Sequence, residues 1–143
     1  MSGYILCREP MAAVPYYIEN IGINIYSVEE LCYYLYKNLH LADDSLMNQG
    51  LCTWLGQELG MKELAGKLAP LTEYTPVPLE EFACEVLRSV NYLTQEEMRT
   101  YRNRISALEK QSVPVREKLK ADCLMENRKY VYAIRVYRKV LEL

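Results

Sequence analysis

The 143-residue sequence has one histidine, one tryptophan and one phenylalanine, and each scarcity narrows the chemistry open to it. A single imidazole, His40, leaves no histidine-rich metal set. The five cysteines, Cys7, Cys32, Cys52, Cys84 and Cys123, are widely spaced and odd in number. They form no Cys-x-x-Cys pair, which argues against a zinc ribbon or a disulfide framework and for free thiols in a reducing, cytoplasmic compartment. No apolar run approaches the ~20 residues that a membrane span needs. The opening segment Tyr4 to Cys7 is interrupted by Arg8-Glu9-Pro10, so no signal peptide is expected. A phosphate loop is missing too. The segment Gly60-Met61-Lys62-Glu63-Leu64-Ala65-Gly66-Lys67 is one residue out of register, and Leu68 stands where serine or threonine belongs. No cofactor, no metal and no catalytic set is expected.

What is present is an ordinary globular balance, half apolar and a quarter charged, in a chain long enough for one domain with a core of its own. Thirteen tyrosines stand against the one phenylalanine. Tyrosine buries a ring while its hydroxyl seeks a partner, so this skew suits half-exposed faces and interfaces. Charge is divided along the chain. Residues 1–93 hold 5 basic and 12 acidic side chains, a net −7, and residues 94–143 hold 12 basic and 7 acidic, a net +5. We therefore expect an acidic head, 1–93, and a basic helical region, 94–143, packed together as one continuous domain or as two. A total charge of −2 argues against a nucleic-acid-binding surface.

Periodicity orders the elements. Tyr4 to Cys7 and Tyr16 to Ile18 are short apolar runs and Gly22 to Tyr26 alternates apolar and polar, which predicts two or three short strands, with Asn20 beginning the turn of a hairpin. Ser27 with Glu30 forms a capping signal for a helix with Val28, Leu31, Cys32, Leu35 and Leu39 on its apolar face. Leu51, Cys52, Leu55 and Leu59 make the next stripe, and Gly60 is its stop. Met61 to Leu68 continues as a short helix, and Leu71 to Val77 is aperiodic, hence a linker. Pro78 suits the start of a helix whose face is Leu79, Phe82, Ala83, Val86, Leu87 and Val90. Thr94 to Glu97 is a second capping box. The helix behind it carries only the narrow seam Met98, Tyr101, Ile105 and Leu108, which predicts one partner helix, in the chain or across a dimer.

The last stretch, from Val113, reads as two helical patterns meeting at a polar bend over Glu126 to Lys129. Ala121 and Leu124 lie in the first, and Tyr130, Ala133, Ile134, Tyr137, Leu141 and Leu143 in the second. This grammar resembles the tetratricopeptide repeat, a helix-turn-helix unit of ~34 residues that stacks on its neighbours. Glu117 and Lys120 depart from it, standing where the family has a large aromatic and a leucine. With the elements read upstream, the expected fold is mostly α: an antiparallel helical array with a repeat-like C-terminal helix pair and a small N-terminal β element. The resemblance implies a protein-interaction or scaffold module rather than an enzyme. The apolar pattern still runs at Val140-Leu141-Glu142-Leu143. Tyr132, Arg135, Val136 and Lys139, with Met98 and Tyr101 of the narrow seam, are accordingly the expected interaction surface. It would be covered by a protein partner, by a second copy of the chain in a homodimer, or by the rest of a longer protein.

Two other readings stay beside this one: a small cysteine-dependent enzyme using Cys32 or Cys52 with His40, and a nucleic-acid-binding helical protein. The paired carboxylates do not add a third. Glu29-Glu30, Glu80-Glu81 and Glu96-Glu97 fall at predicted helix starts, where free amides favour negative charge, and adjacent helical residues do not face one another.

Overall fold

The computed structural model describes residues 11–112 and 114–127, and they form a mostly α fold with one small sheet. Strands β1 (Tyr16–Ile18) and β2 (Ile23–Ile25) pair antiparallel with Tyr16 opposite Ile25 and Ile18 opposite Ile23. The period of two sends Ile18, Ile23 and Ile25 into the core and leaves Tyr17 exposed. Gly22 closes the turn at φ +63°, a conformation that costs glycine little, with its amide 2.9 Å from the Ile18 carbonyl. A hairpin this small needs a surface to lie on. The Trp54 indole donates to the Val14 carbonyl at 2.7 Å, and the Tyr16 hydroxyl reaches Asn48 Oδ1 at 3.3 Å.

Helix α1 (Val28–Lys37) is the centre of the molecule. The Ser27 hydroxyl accepts from the Glu30 amide at 3.2 Å, and Glu30 Oε1 accepts from the Tyr26 amide, one residue before the expected capping partner. Val28, Leu31, Cys32, Tyr34 and Leu35 are all buried, so the helix is packed on several sides. A single 3-10 turn, Leu39–Leu41, leads to α2 (Gln49–Gln57), whose first turn is capped by Asn48. Gly60 ends that region at φ +68°. The short α3 (Lys62–Leu68) packs close beside α2, where a Cβ on Gly56 would sit 3.5 Å from that of Ala65.

The stretch expected as a linker begins instead with a 3-10 helix, Ala69–Glu73, started by Pro70 and tied by the Thr72 hydroxyl to the Ala69 carbonyl at 2.7 Å. Local hydrogen bonding, which leaves no apolar period, explains why the pattern hid it. Helix α4 (Leu79–Ser89) turns Phe82, Ala83, Val86 and Leu87 fully inward. Helix α5 (Gln95–Glu109) opens with a complete capping box, Thr94 amide to Glu97 Oε1 at 3.0 Å and Glu97 amide to Thr94 Oγ1 at 3.1 Å.

The seam of α5 finds its partners inside the chain. Met98, Tyr101, Ile105 and Leu108 are buried, and the Tyr101 hydroxyl donates to the Leu35 carbonyl of α1 at 2.8 Å. Met98 and Tyr101 are therefore not on a surface, contrary to their expected place there. A last described helix, α6, spans 114–127. Glu126 and Asn127, expected in a bend, are still helical. Tyr132, Arg135, Val136 and Lys139 lie outside the described residues, as do the second half of the repeat-like pair and the run Tyr4 to Cys7. The buried apolar cluster runs from Ala12 to Leu108, and Cys123 is its sole member beyond that point among the described residues.

Candidate functional site

Helix α6 differs from the other described α-helices in how little of it is covered. Among its fourteen residues only Cys123 and Asn127 are buried, with Leu119 and Lys120 half-buried on the same side. At 100° per residue these four share one face. Ala121, Leu124 and Met125 point elsewhere, Leu124 at 40% and Met125 at 71% exposure, and Val115 on the opposite flank is at 46%. Ala121 and Leu124 are the two residues that carry the repeat resemblance in this helix, and both face water.

The inner face meets the end of α1 through a polar clasp. Asn38 caps α1, and its amide donates to the Tyr34 carbonyl at 2.8 Å. Its side-chain Oδ1 accepts from Asn127 Nδ2 at 2.9 Å and from the Cys123 thiol at 3.3 Å. Asn127 Nδ2 also donates to the Cys123 carbonyl one turn back, at 2.6 Å. Beside the clasp, Lys120 approaches Asp43 at 3.9 Å in a pair that is more than a third exposed at both ends. Such a pair contributes little.

The clasp is incomplete. Asn38 Nδ2, Asn127 Oδ1 and the Tyr34 hydroxyl are buried without a hydrogen-bond partner. The Asn20 amide lies within reach of the Tyr34 hydroxyl, but its two hydrogens are directed at the Leu41 carbonyl, 2.8 Å away, and at Asp43 Oδ2, 3.3 Å away. Each unsatisfied buried group costs about 1–3 kcal/mol, against about 1 kcal/mol gained from an ordinary hydrogen bond. Unpaired buried groups subtract from what the two bonds to Asn38 contribute.

The thiols are the other chemistry-bearing groups. Burial pushes Cys32 far above its ordinary value, with the Glu29 charge adding to it, and the thiol points at the Val86 carbonyl 3.7 Å away. Burial likewise raises Cys52. It raises Cys84 as well, although the Arg102 guanidinium works against the shift. In Cys123 burial leads, the Glu126 charge adds to it, and the bond with Asn127 opposes it. All four described thiols are free and protonated at neutral pH, the opposite of what a nucleophilic thiolate needs. His40, in the turn after α1, is pushed below its ordinary value by burial and then by the charges of Arg104 and Arg116. Its Nδ1 is buried without a partner. Cys32 and Cys52, paired with His40 in the enzyme reading, thus gain no activation from their surroundings.

Arg104 itself is held. Its guanidinium lies 5.4 Å from the Tyr36 ring centre and 5.7 Å from that of Tyr101, and it donates to the Tyr36 carbonyl at 3.2 Å. Open grooves of about 650 and 630 Å³ are lined by mixed charge, the first by Lys62, Lys67, Glu85 and Arg88, the second by Asp43, Asp44, Glu109 and Arg116. Among the described residues no group of three or more His, Cys, Asp or Glu is placed to hold a metal. No described helix is long and apolar enough to cross a membrane.

Only half of the clasp leaves a trace in the sequence. Cys123 and Asn127 stand four apart on one side of a helix, small and polar where a packed stripe would carry leucine, yet nothing local marks Asn38 as their partner. No protein-family model matches the chain, and no curated protein or solved structure matches it.

Proposed function

We propose that this chain is a non-enzymatic protein-interaction module, working in the reducing cytoplasm, whose binding element is the outer face of α6. The observation that carries the reading is the exposure of Leu124 and Met125 beside the small Ala121 on a helix held to the body by one narrow face. A small residue flanked by larger apolar ones admits a second helix at close range, which is how tetratricopeptide-like units meet their neighbours. The partner is a protein offering a complementary apolar helix face, a second copy of this chain included.

The test is affinity capture with the whole chain as bait, run beside the double variant Leu124→Glu with Met125→Glu. Both positions are exposed, so the variant keeps the parent's circular dichroism and melting point. The parent is expected to retain a protein that the variant loses. Sedimentation of each chain alone tells self-association from a foreign partner. A variant that captured the same proteins and sedimented as the parent does would remove α6 as the binding element.

A further inference from the structure

The clasp between α6 and the end of α1 has the construction of a catch rather than of a core contact. Every described residue of the apolar cluster except Cys123 belongs to the stretch from Ala12 to Leu108. Among its described residues α6 itself thus contributes a single side chain, Cys123, to the buried cluster. The hydrogen bonds that hold it, Asn127 to Asn38 and Cys123 to Asn38, are of a kind that water replaces on exposure. Opening also supplies water to three groups that the closed form leaves without partners, Asn38 Nδ2, Asn127 Oδ1 and the Tyr34 hydroxyl. Between α5 and α6 the described residues 110–112 are not helical, and they stand where a hinge is needed.

We infer that α6 is a detachable strap, which swings off the end of α1 as a unit while the body from Ala12 to Leu108 stays folded, and which in opening bares Tyr34 and Asn38. Elements with few buried apolar contacts occupy the low end of the range of local opening free energies, and α6 has the fewest buried apolar residues of the described α-helices. The strap is a property of the fold and holds whether or not its outer face binds a partner.

The thiols report on it directly. Cys123 lies under the strap, whereas Cys32 lies on α1 in the centre of the core, so a small alkylating reagent reads strap opening at one and unfolding of the body at the other. With the whole native chain and labelling followed residue by residue by mass spectrometry, Cys123 is expected to react at least about tenfold faster than Cys32, with a shallower dependence on urea. The variant Asn127→Asp places an anion beside Asn38 Oδ1 and should speed Cys123 labelling by about a further tenfold, leaving Cys32 unchanged. Labelling of both thiols at one rate and with one urea slope would overturn the strap. An Asn127→Asp chain that labels at Cys123 as the parent does would overturn it too, because fast reaction would then reflect static exposure. So would a variant in which Cys32 becomes reactive together with Cys123, since the helix would then be part of the body. Amide exchange in the parent reads the same opening without a substitution: α6 amides should exchange ahead of those of α1, and equal protection of the two helices would rule the strap out.

Discussion

Tyr34 and Tyr101 are both fully buried, and the fates of their hydroxyls differ. Tyr101 donates to the Leu35 carbonyl at 2.8 Å, whereas the Tyr34 hydroxyl has no partner. A buried polar group that is satisfied adds to stability, and one that is orphaned subtracts from it. Tyr101→Phe should therefore lower the unfolding free energy by about 1 kcal/mol in urea melts, with the slope unchanged. Tyr34→Phe should leave it unchanged or raise it. Equal losses in the two variants would mean that Tyr34 has a partner, such as a bridging water. The tyrosine-rich composition suggested half-exposed faces, and Tyr17 and Tyr74 are indeed exposed. Composition alone does not say which rings are drawn inside.

At the scale of elements, caps and turns are where sequence and structure agree most closely. Ser27 and Thr94, the two caps expected, each accept from a backbone amide in the first turn of their helix, because a cap is satisfied within four residues and needs no distant partner. Asn48, which the sequence pattern did not mark, does the same for α2. Two glycines separate backbone conformation from packing. A Cβ at Gly60 or at Gly66 would meet nothing within 4 Å, but Gly60 sits at φ +68° and Gly66 lies inside α3. Gly66→Ala should stabilise the chain by about 0.5–1 kcal/mol through helix propensity and lost freedom in the unfolded state. Gly60→Ala should destabilise it by about 1 kcal/mol, the order of the left-handed penalty. Thermal melts of the two variants would show it, and shifts of the same sign would contradict the assignment of Gly60 as the stop after α2.

Taken whole, the molecule buries protonated acids that the unfolded chain would ionise in alkali. Burial raises the thiols of Cys32, Cys52, Cys84 and Cys123 above their ordinary 9.0 and the hydroxyls of Tyr34, Tyr92 and Tyr101 above 10.0. The folded state thus holds its protons where the unfolded state releases them. By linkage, the stability this contributes is fully present below about pH 9 and is lost as pH rises through the folded values. His40 has the opposite sense. Its folded value lies below the ordinary 6.5, so the unfolded chain takes up the proton first and stability falls as pH drops below that point. Urea melts from pH 5 to 10.5 should give a plateau near neutrality with a decline on both sides, and His40→Gln should weaken the acid decline alone. An alkaline limb that stayed flat to pH 10.5 would contradict the burial of these groups. The described ion pairs between the oppositely charged halves, Arg102 with Glu80 and Lys120 with Asp43, are long pairs at the surface.

What the sequence determined by itself is whatever repeats or closes within a few residues: the alternation of the hairpin around Gly22, the caps at Ser27 and Thr94, the inward face of α4, and the stop at Gly60. The 3-10 helix at Ala69–Glu73 escaped because it carries no apolar period. What only the tertiary structure decided are pairings across long stretches of chain, Tyr101 with the Leu35 carbonyl at a separation of 66 residues and Asn127 with Asn38 at 89. The first turned an expected interaction seam into core, and the second turned an expected bend into the catch under α6. Periodicity fixes which face of a helix is apolar but carries no information on which other face will meet it. That choice is made by the packing of all the faces at once, each excluding water from the others.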